Sequence, residues 1–271
     1  MVMSAPGLRL AYVDAAEMQV AYRMAGNGPA LVLLHGFLCD SRCWMPQLTD
    51  LSDRFRVVAW DAPGAGSSAD PTAPFTVTDW AIALGEFLDA IAIDRAHFLG
   101  LSWGGMLAQE LYRLYPTRVD HLVLADTYAG WKGSLPPEIV EVRLARCYRD
   151  ALRPPREVVA EWVPADFFLD ASRELTAVMA SVVADFHPVG FRLMATSLAH
   201  TDTTAVLPTI KAPTLLVWGD GDQRSPLTVA EQFHAAISGS ELRVIHGAGH
   251  VSNMEKPDAF NATVRQFLTD A

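Results

Sequence analysis

Leu99-Gly100-Leu101-Ser102-Trp103-Gly104-Gly105 is the stretch that decides the fold. Ahead of it runs Ala96-His97-Phe98-Leu99, short, apolar and of strand character. Behind it, Met106-Leu107-Ala108-Gln109-Glu110-Leu111-Tyr112 places apolar residues at helical spacing. Strand, tight turn and helix, with glycine two residues before and two after a serine, is the G-x-S-x-G nucleophile elbow pattern. Such a turn strains the serine backbone, and side chains at the flanking positions would collide with the adjacent strand and helix. The helix N-terminus behind the serine offers free N–H groups that favour developing negative charge. A plain Gly/Ser connection is the alternative, and the strand-turn-helix context weighs against it. Ser102 is the candidate nucleophile.

The flanking sequence supplies a scaffold for it. Leu8–Val13 and Met18–Arg23 predict an opening hairpin. Ala30–Leu34 is a continuous apolar run of strand length, as for a strand buried on both faces of a parallel sheet. Helical character follows over Ser41–Leu51, a strand over Arg56–Asp61, a helix over Thr78–Ala92 and, past the elbow, a strand over Val119–Ala125. Strands resume at Pro213–Trp218 and Glu241–Ile245, each followed by a helix (Leu227–Ile237 and Pro257–Thr269). This alternation predicts an α/β fold, a mostly parallel twisted sheet flanked by helices. From Tyr128 to Val206 strand signals vanish, and proline-separated helical segments take over: Glu138–Leu152, Arg156–Phe168, Arg173–Phe186 and Val189–His200. They predict an inserted all-helical cap, residues 128–206, over the strand carboxyl edge, where open α/β sheets bind ligands. The core then comprises residues 1–127 and 207–271.

Composition narrows the function classes. The chain has 271 residues, 51% hydrophobic and 19% charged, with net charge −10 and no basic cluster. That gives a substantial core and disfavours nucleic acid and acidic membrane surfaces as partners. Three cysteines (Cys39, Cys43, Cys147), odd in number and without metal-like spacing, read as reduced thiols of a cytoplasmic protein. Residues 1–7 lack the basic and apolar regions of a signal peptide, and no apolar run approaches the ~18 residues of a membrane span.

A serine nucleophile needs a base that is itself oriented by an acid, and after an elbow the partners follow in the order Ser, Asp or Glu, His. His250, in Gly247-Ala248-Gly249-His250-Val251-Ser252-Asn253, lies on a flexible loop between the last strand and last helix, able to reach over the sheet edge. His246 reads as packing or turn chemistry; the glycines between the two histidines deny them the helix a metal pair would use. For the acid, Asp222 in Gly219-Asp220-Gly221-Asp222 is preferred, with Asp220 holding the turn. Asp126, at the end of the strand after the elbow helix, competes with it. Asp61 reads as structural. The oxyanion hole needs two backbone donors: the N–H of Trp103, following the nucleophile, and that of Phe37 in His35-Gly36-Phe37, where Gly36 lets the chain bend. His35 itself reads as structural.

These pieces, with Asp61-Ala62-Pro63-Gly64-Ala65-Gly66-Ser67 and Gly249-His250, resemble the α/β-hydrolase fold superfamily across nearly the whole chain. Leu122–Thr127 and His250–Phe260 are most similar to the 3-oxoadipate enol-lactonase-like branch, to which some serine-dependent N-acyl homoserine lactonases and carboxylesterases are also similar. The chain departs from those enol-lactonases in carrying His35-Gly36 and Trp103. The resemblance implies Ser102 as nucleophile, Asp222 as acid, His250 as base, and no cofactor or metal. It implies a carboxylic ester hydrolase, a lactonase or esterase acting on a small-molecule ester or lactone. The cap offers Trp131, Trp162, Phe167, Phe168, Met179, Phe186, Phe191 and Met194, which suit an apolar acyl part such as that of N-acyl homoserine lactones. Its arginines, Arg143, Arg146 and others, would suit a carboxylate-bearing enol-lactone instead. Cofactor-free perhydrolysis, carbon–carbon bond hydrolysis and a hydrolase-fold small-molecule receptor are the other readings.

Overall fold

Leu31 to Leu34 are wholly buried, as a strand covered on both faces must be, and the sheet grows from that strand to either side. The computed structural model describes residues 8–72 and 74–269, with the side chains of 164–166 apart; the reading of residues 1–7 lies outside them. Strands β1 (Leu10–Ala15), β2 (Met18–Ala25), β3 (Ala30–Leu34), β4 (Arg56–Trp60), β5 (Ala96–Leu101), β6 (Val119–Ala125), β7 (Thr214–Gly219) and β8 (Glu241–Ile245) form one sheet. Their order is β1-β2-β4-β3-β5-β6-β7-β8. The two hairpin strands are antiparallel additions at one edge, and β4 to β8 run parallel with β3. Ala16 and Glu17 turn the hairpin with φ of 52° and 58°, a two-residue loop of the I′ kind made without glycine.

Parallel strands bring all their carboxyl ends to one edge. The chain reverses its direction of winding at β3, so the crevice outside β3 and β5 is the topological switch point where such sheets bind ligands. Helices α1 (Met45–Asp50), α2 (Val77–Ala90) and α3 (Trp103–Leu114) connect the first half of the sheet. The helix expected over Ser41–Leu51 is broken: short 3-10 turns at Ser41–Trp44 and Leu51–Asp53 flank α1, with Pro46 near its start.

Between β6 and β7 the regular elements among the described residues are helical: α4 (Gly130–Ser134), α5 (Pro137–Asp150), α6 (Pro155–Asp166), α7 (Arg173–Ala184) and α8 (Pro188–His200), with a 3-10 turn at Leu207–Thr209. Prolines open α5, α6 and α8, where the missing N–H costs nothing. This insertion meets the sheet edge closely. Gly190 at the start of α8 lies against the Gly64 backbone in the loop after β4, and any Cβ there would overlap the Gly64 carbonyl. Helices α9 (Leu227–Ala236), α10 (Ser252–Glu255) and α11 (Pro257–Thr269) complete the chain. All three cysteines are free and buried. Among the described residues no helix is long and apolar enough to cross a membrane.

Candidate active site

Ser102 ends β5 and begins α3 with φ 53° and ψ −114°, a conformation worth roughly 1–3 kcal/mol of strain for a residue with a side chain. Its neighbours over-determine it. The Ser102 N–H donates to the Ala125 carbonyl (2.9 Å), and the Thr127 hydroxyl donates to the Ser102 carbonyl (2.5 Å). Gly104 packs on the Leu34 backbone so tightly that a Cβ would overlap the Leu34 carbonyl. The turn is thus clamped between β3 and β6.

The loop after β8 carries His250 over this turn. The Ser102 hydroxyl donates to His250 Nε2 at 2.9 Å, and His250 Nδ1–H donates to Asp222 Oδ2 at 2.8 Å. Asp222 Oδ1 accepts from the N–H groups of Arg224 (2.8 Å) and Ser225 (2.9 Å), so the carboxylate is fully engaged and fixes the ring tautomer. The His250 and Asp222 side chains are 4% and 0% exposed, where such bonds are stronger than in water. An imidazole held this way can accept the serine proton and hold the resulting charge against the carboxylate.

The loop after β3 closes the other side. A Cβ built on Gly36 would lie 3.3 Å from Ser102 Cβ, so the Gly36–Phe37 backbone runs beside the nucleophile. His35 is buried and ties loops together: its Nδ1 bonds the Gly36 carbonyl (2.8 Å), and its Nε2 accepts from the Ala62 N–H (3.0 Å). Burial lowers its pKa, keeping that acceptor available. Asp61 accepts from the N–H groups of Ser41 and Ser67, the structural role expected of it. Trp103, first in α3, has an N–H that no helical carbonyl can reach, and its indole donates to Ser197 Oγ in α8 at 2.9 Å. Phe37 stacks on Phe191 of α8 with ring centroids 4.7 Å apart and meets Trp162 of α6 edge-on at 6.0 Å. The insertion therefore lays aromatic rings directly on the loop flanking Ser102.

The α/β hydrolase fold family model matches residues 29–257, which span every strand from β3 onward and the whole constellation above. The chain belongs to the α/β-hydrolase fold family. It is 27% identical to 3-oxoadipate enol-lactonase 2 of Acinetobacter baylyi, over 94% of this chain and 95% of that one. Among solved structures it resembles a thermophilic esterase of Thermogutta terrifontis (TM-score 0.88, 27% identity, covering 97% of this chain and 98% of that one). It also resembles Est816, described as an N-acyl homoserine lactone degrading enzyme (TM-score 0.80, 28% identity, 95% and 100% covered).

In this α/β hydrolase the two aspartates that competed for the histidine have separate partners. Asp126 is wholly buried, with φ 46°. Its Oδ1 accepts from the Gly219 N–H (2.8 Å), and its Oδ2 bonds the Ser252 hydroxyl (2.5 Å). It thereby joins the end of β7, which leads to Asp222, to α10, which follows His250. Burial and then the nearby Asp222 charge push the Asp126 pKa well above the usual carboxylate range. The folded hydrolase therefore holds that proton more tightly than the unfolded chain does. That contribution to stability is present below the unfolded pKa of about 4 and is lost as pH rises through the folded pKa. Asp126→Asn, which presents the same shape without a charge, is expected to gain Tm relative to the wild type as pH is raised from 4 to 8. Parallel Tm curves for the two proteins would refute this.

Asp220 holds its turn as expected, accepting from the Gly247 N–H (2.8 Å) and bonding His246 (3.0 Å), whereas His250 bonds Asp222 and Ser102. One carboxylate escaped the sequence reading. Glu255 accepts from the N–H groups of Leu169 (3.0 Å) and Asp170 (2.7 Å) in the insertion and of Gly249 (2.8 Å) beside His250. Its presence inside a loop-and-helix run gave no signal, since all three donors are backbone.

Proposed function

We propose that this hydrolase cleaves carboxylic esters and lactones with an apolar acyl part, N-acyl homoserine lactones among them, through an acyl-enzyme on Ser102. The observation that carries the reading is the unbroken, buried hydrogen-bond chain Ser102–His250–Asp222 lying beside the Phe37, Trp162 and Phe191 rings. Ser102 Oγ attacks the carbonyl carbon as its proton passes to His250 Nε2. The N–H groups of Phe37 and Trp103 stabilise the oxyanion. His250 then gives the proton to the departing oxygen, which in a lactone stays tethered to the acyl group. Water, activated by the same imidazole, releases the acid and restores Ser102. Residues 128–206 act here as a cap on a core of residues 1–127 and 207–271. Likeness to an enol-lactonase, an esterase and a homoserine-lactone-degrading enzyme supports this reaction class.

The test is proton release in a pH-stat from acyl homoserine lactones, simple lactones and open-chain esters. An apolar pocket predicts kcat/KM rising roughly threefold to fourfold per added methylene until the pocket fills. Phe191→Ala should flatten that rise. Release from open-chain esters alone would make the protein a general esterase, and no release from any of the three would overturn the reading in favour of ligand binding or another reaction.

A second reading has its own observation. An open recess of about 240 Å³ is lined by Trp131, Arg143, Arg146, Trp162 and Arg224. Arg143 donates to the Tyr128 hydroxyl (3.2 Å), and the Tyr128 ring lies 6.0 Å from that of His250. A carboxylate-bearing lactone suits this recess. Arg143→Ala should then raise KM for a carboxylated lactone and leave that for an uncharged one unchanged.

A further inference from the structure

The sheet edge remote from Ser102 brings three metal-ligating side chains together where β5 and β6 begin. Ala96 pairs with Val119, but the next pairing is Phe98 with Leu122, so two residues of β6 oppose one of β5. A bulge of this kind re-aims side chains; here it sets Asp120 and His121 together against His97. His97 Nδ1 lies 3.6 Å from Asp120 Oδ2, and His121 Nδ1 lies 3.9 Å from Asp120 Oδ1. One ligand atom from each of the three residues falls within 4.8 Å of the others. Ligands about 2.0–2.1 Å from a tetrahedral ion stand about 3.4 Å apart, so small side-chain rotations would complete the geometry.

Hydrogen bonding leaves the same place unfinished. Among the described residues, His97 Nδ1 and both nitrogens of His121 are buried without a hydrogen-bond partner, and the His97 side chain is only 7% exposed. Buried polar atoms are nearly always paired, and each exception needs a cause such as an ion or water. The rings are fixed by aromatic neighbours: His97 is 4.9 Å from His121 and 5.9 Å from Phe55, and His121 is 5.6 Å from Phe267. Asp120, one-third exposed, opens the cluster to solvent. Arg95 pairs with Asp120 Oδ1 from the solvent side, which leaves Oδ2 for an ion and makes Arg95 its competitor.

We propose that His97, Asp120 and His121 bind one divalent transition-metal ion of the zinc type, with water completing its coordination. Two imidazoles and one carboxylate form a borderline donor set that suits zinc and excludes a preference for calcium or magnesium. His97 stands five residues before Ser102 on β5, about 17 Å away, so the ion takes no part in the hydrolysis. It clips β5 to β6 at the start of the strand that carries the nucleophile.

The experiment uses tag-free, full-length protein stripped with a chelator, titrated with Zn²⁺ by calorimetry and with Co²⁺ by visible absorption. One ion per chain is expected, with the d–d bands of a low-coordinate cobalt site. Zn²⁺ at about a hundred times Kd should raise Tm by roughly 5–10 °C. Asp120→Asn and His121→Gln should each weaken binding by about tenfold or more, and His246→Gln, at an exposed His–Asp pair, should leave it unchanged. Absence of saturable uptake up to millimolar Zn²⁺, or unchanged affinity in both ligand variants, overturns the proposal.

Discussion

Ser102→Ala is expected to lower kcat on a responsive ester or lactone by a factor on the order of 10⁴ to 10⁶, the cost of removing a nucleophile that acts as part of a unit with its base and acid. The fold should survive. Ser102 is held by its backbone N–H and carbonyl, and its hydroxyl bonds His250 Nε2. Alanine inherits the strained φ of 53° but none of the chemistry, so Tm should move by no more than a few degrees. Binding of a non-hydrolysed substrate should persist. Turnover within tenfold of wild type in this variant would remove Ser102 from the mechanism and the elbow with it.

The second large effect separates the two buried aspartates. Asp222→Asn should cost about 10⁴ in kcat, because an amide facing His250 Nδ1 no longer enforces the tautomer that leaves Nε2 free to accept. Asp126→Asn should stay within about tenfold of wild type, since its amide can still accept from Gly219 and donate to Ser252. Asp126→Ala is different: it leaves the Gly219 N–H and the Ser252 hydroxyl unpaired in a buried site, at about 1–3 kcal/mol each, and should be read in Tm more than in kcat. The reverse ranking of the two asparagine variants, in proteins that both fold, would make Asp126 the acid.

What sequence could reveal divides along the range of the interaction. The elbow was legible because its causes are local: glycines two residues either side of Ser102, an apolar strand before it and helical spacing after it. His250 and Asp222 followed from the loops that end β8 and β7. The choice between Asp222 and Asp126 was not local, because both end strands at the same edge. It rests on partners 93 and 126 residues away from Asp126, Gly219 and Ser252. Glu255 escaped for the same reason, its donors including backbone 85 and 86 residues earlier in the chain. The Ala16–Glu17 turn carries none of the Gly or Asn that usually marks a positive φ. The short helices α4 and α10, of five and four residues, are too brief for periodicity to register.

The Glu255 clasp also sets a rule for exchanging parts between relatives. One carboxylate grips the 169–170 backbone and the amide next to His250, so a transplanted helical segment would reposition the imidazole unless it returned two N–H groups to the same spot. Chimeras that graft residues 128–206 wholesale should therefore keep the imidazole in place only when the graft returns two backbone N–H groups to Glu255 at the positions of Leu169 and Asp170. Catalytic alignment in such recombinants would be inherited from the fit between the graft backbone and Glu255.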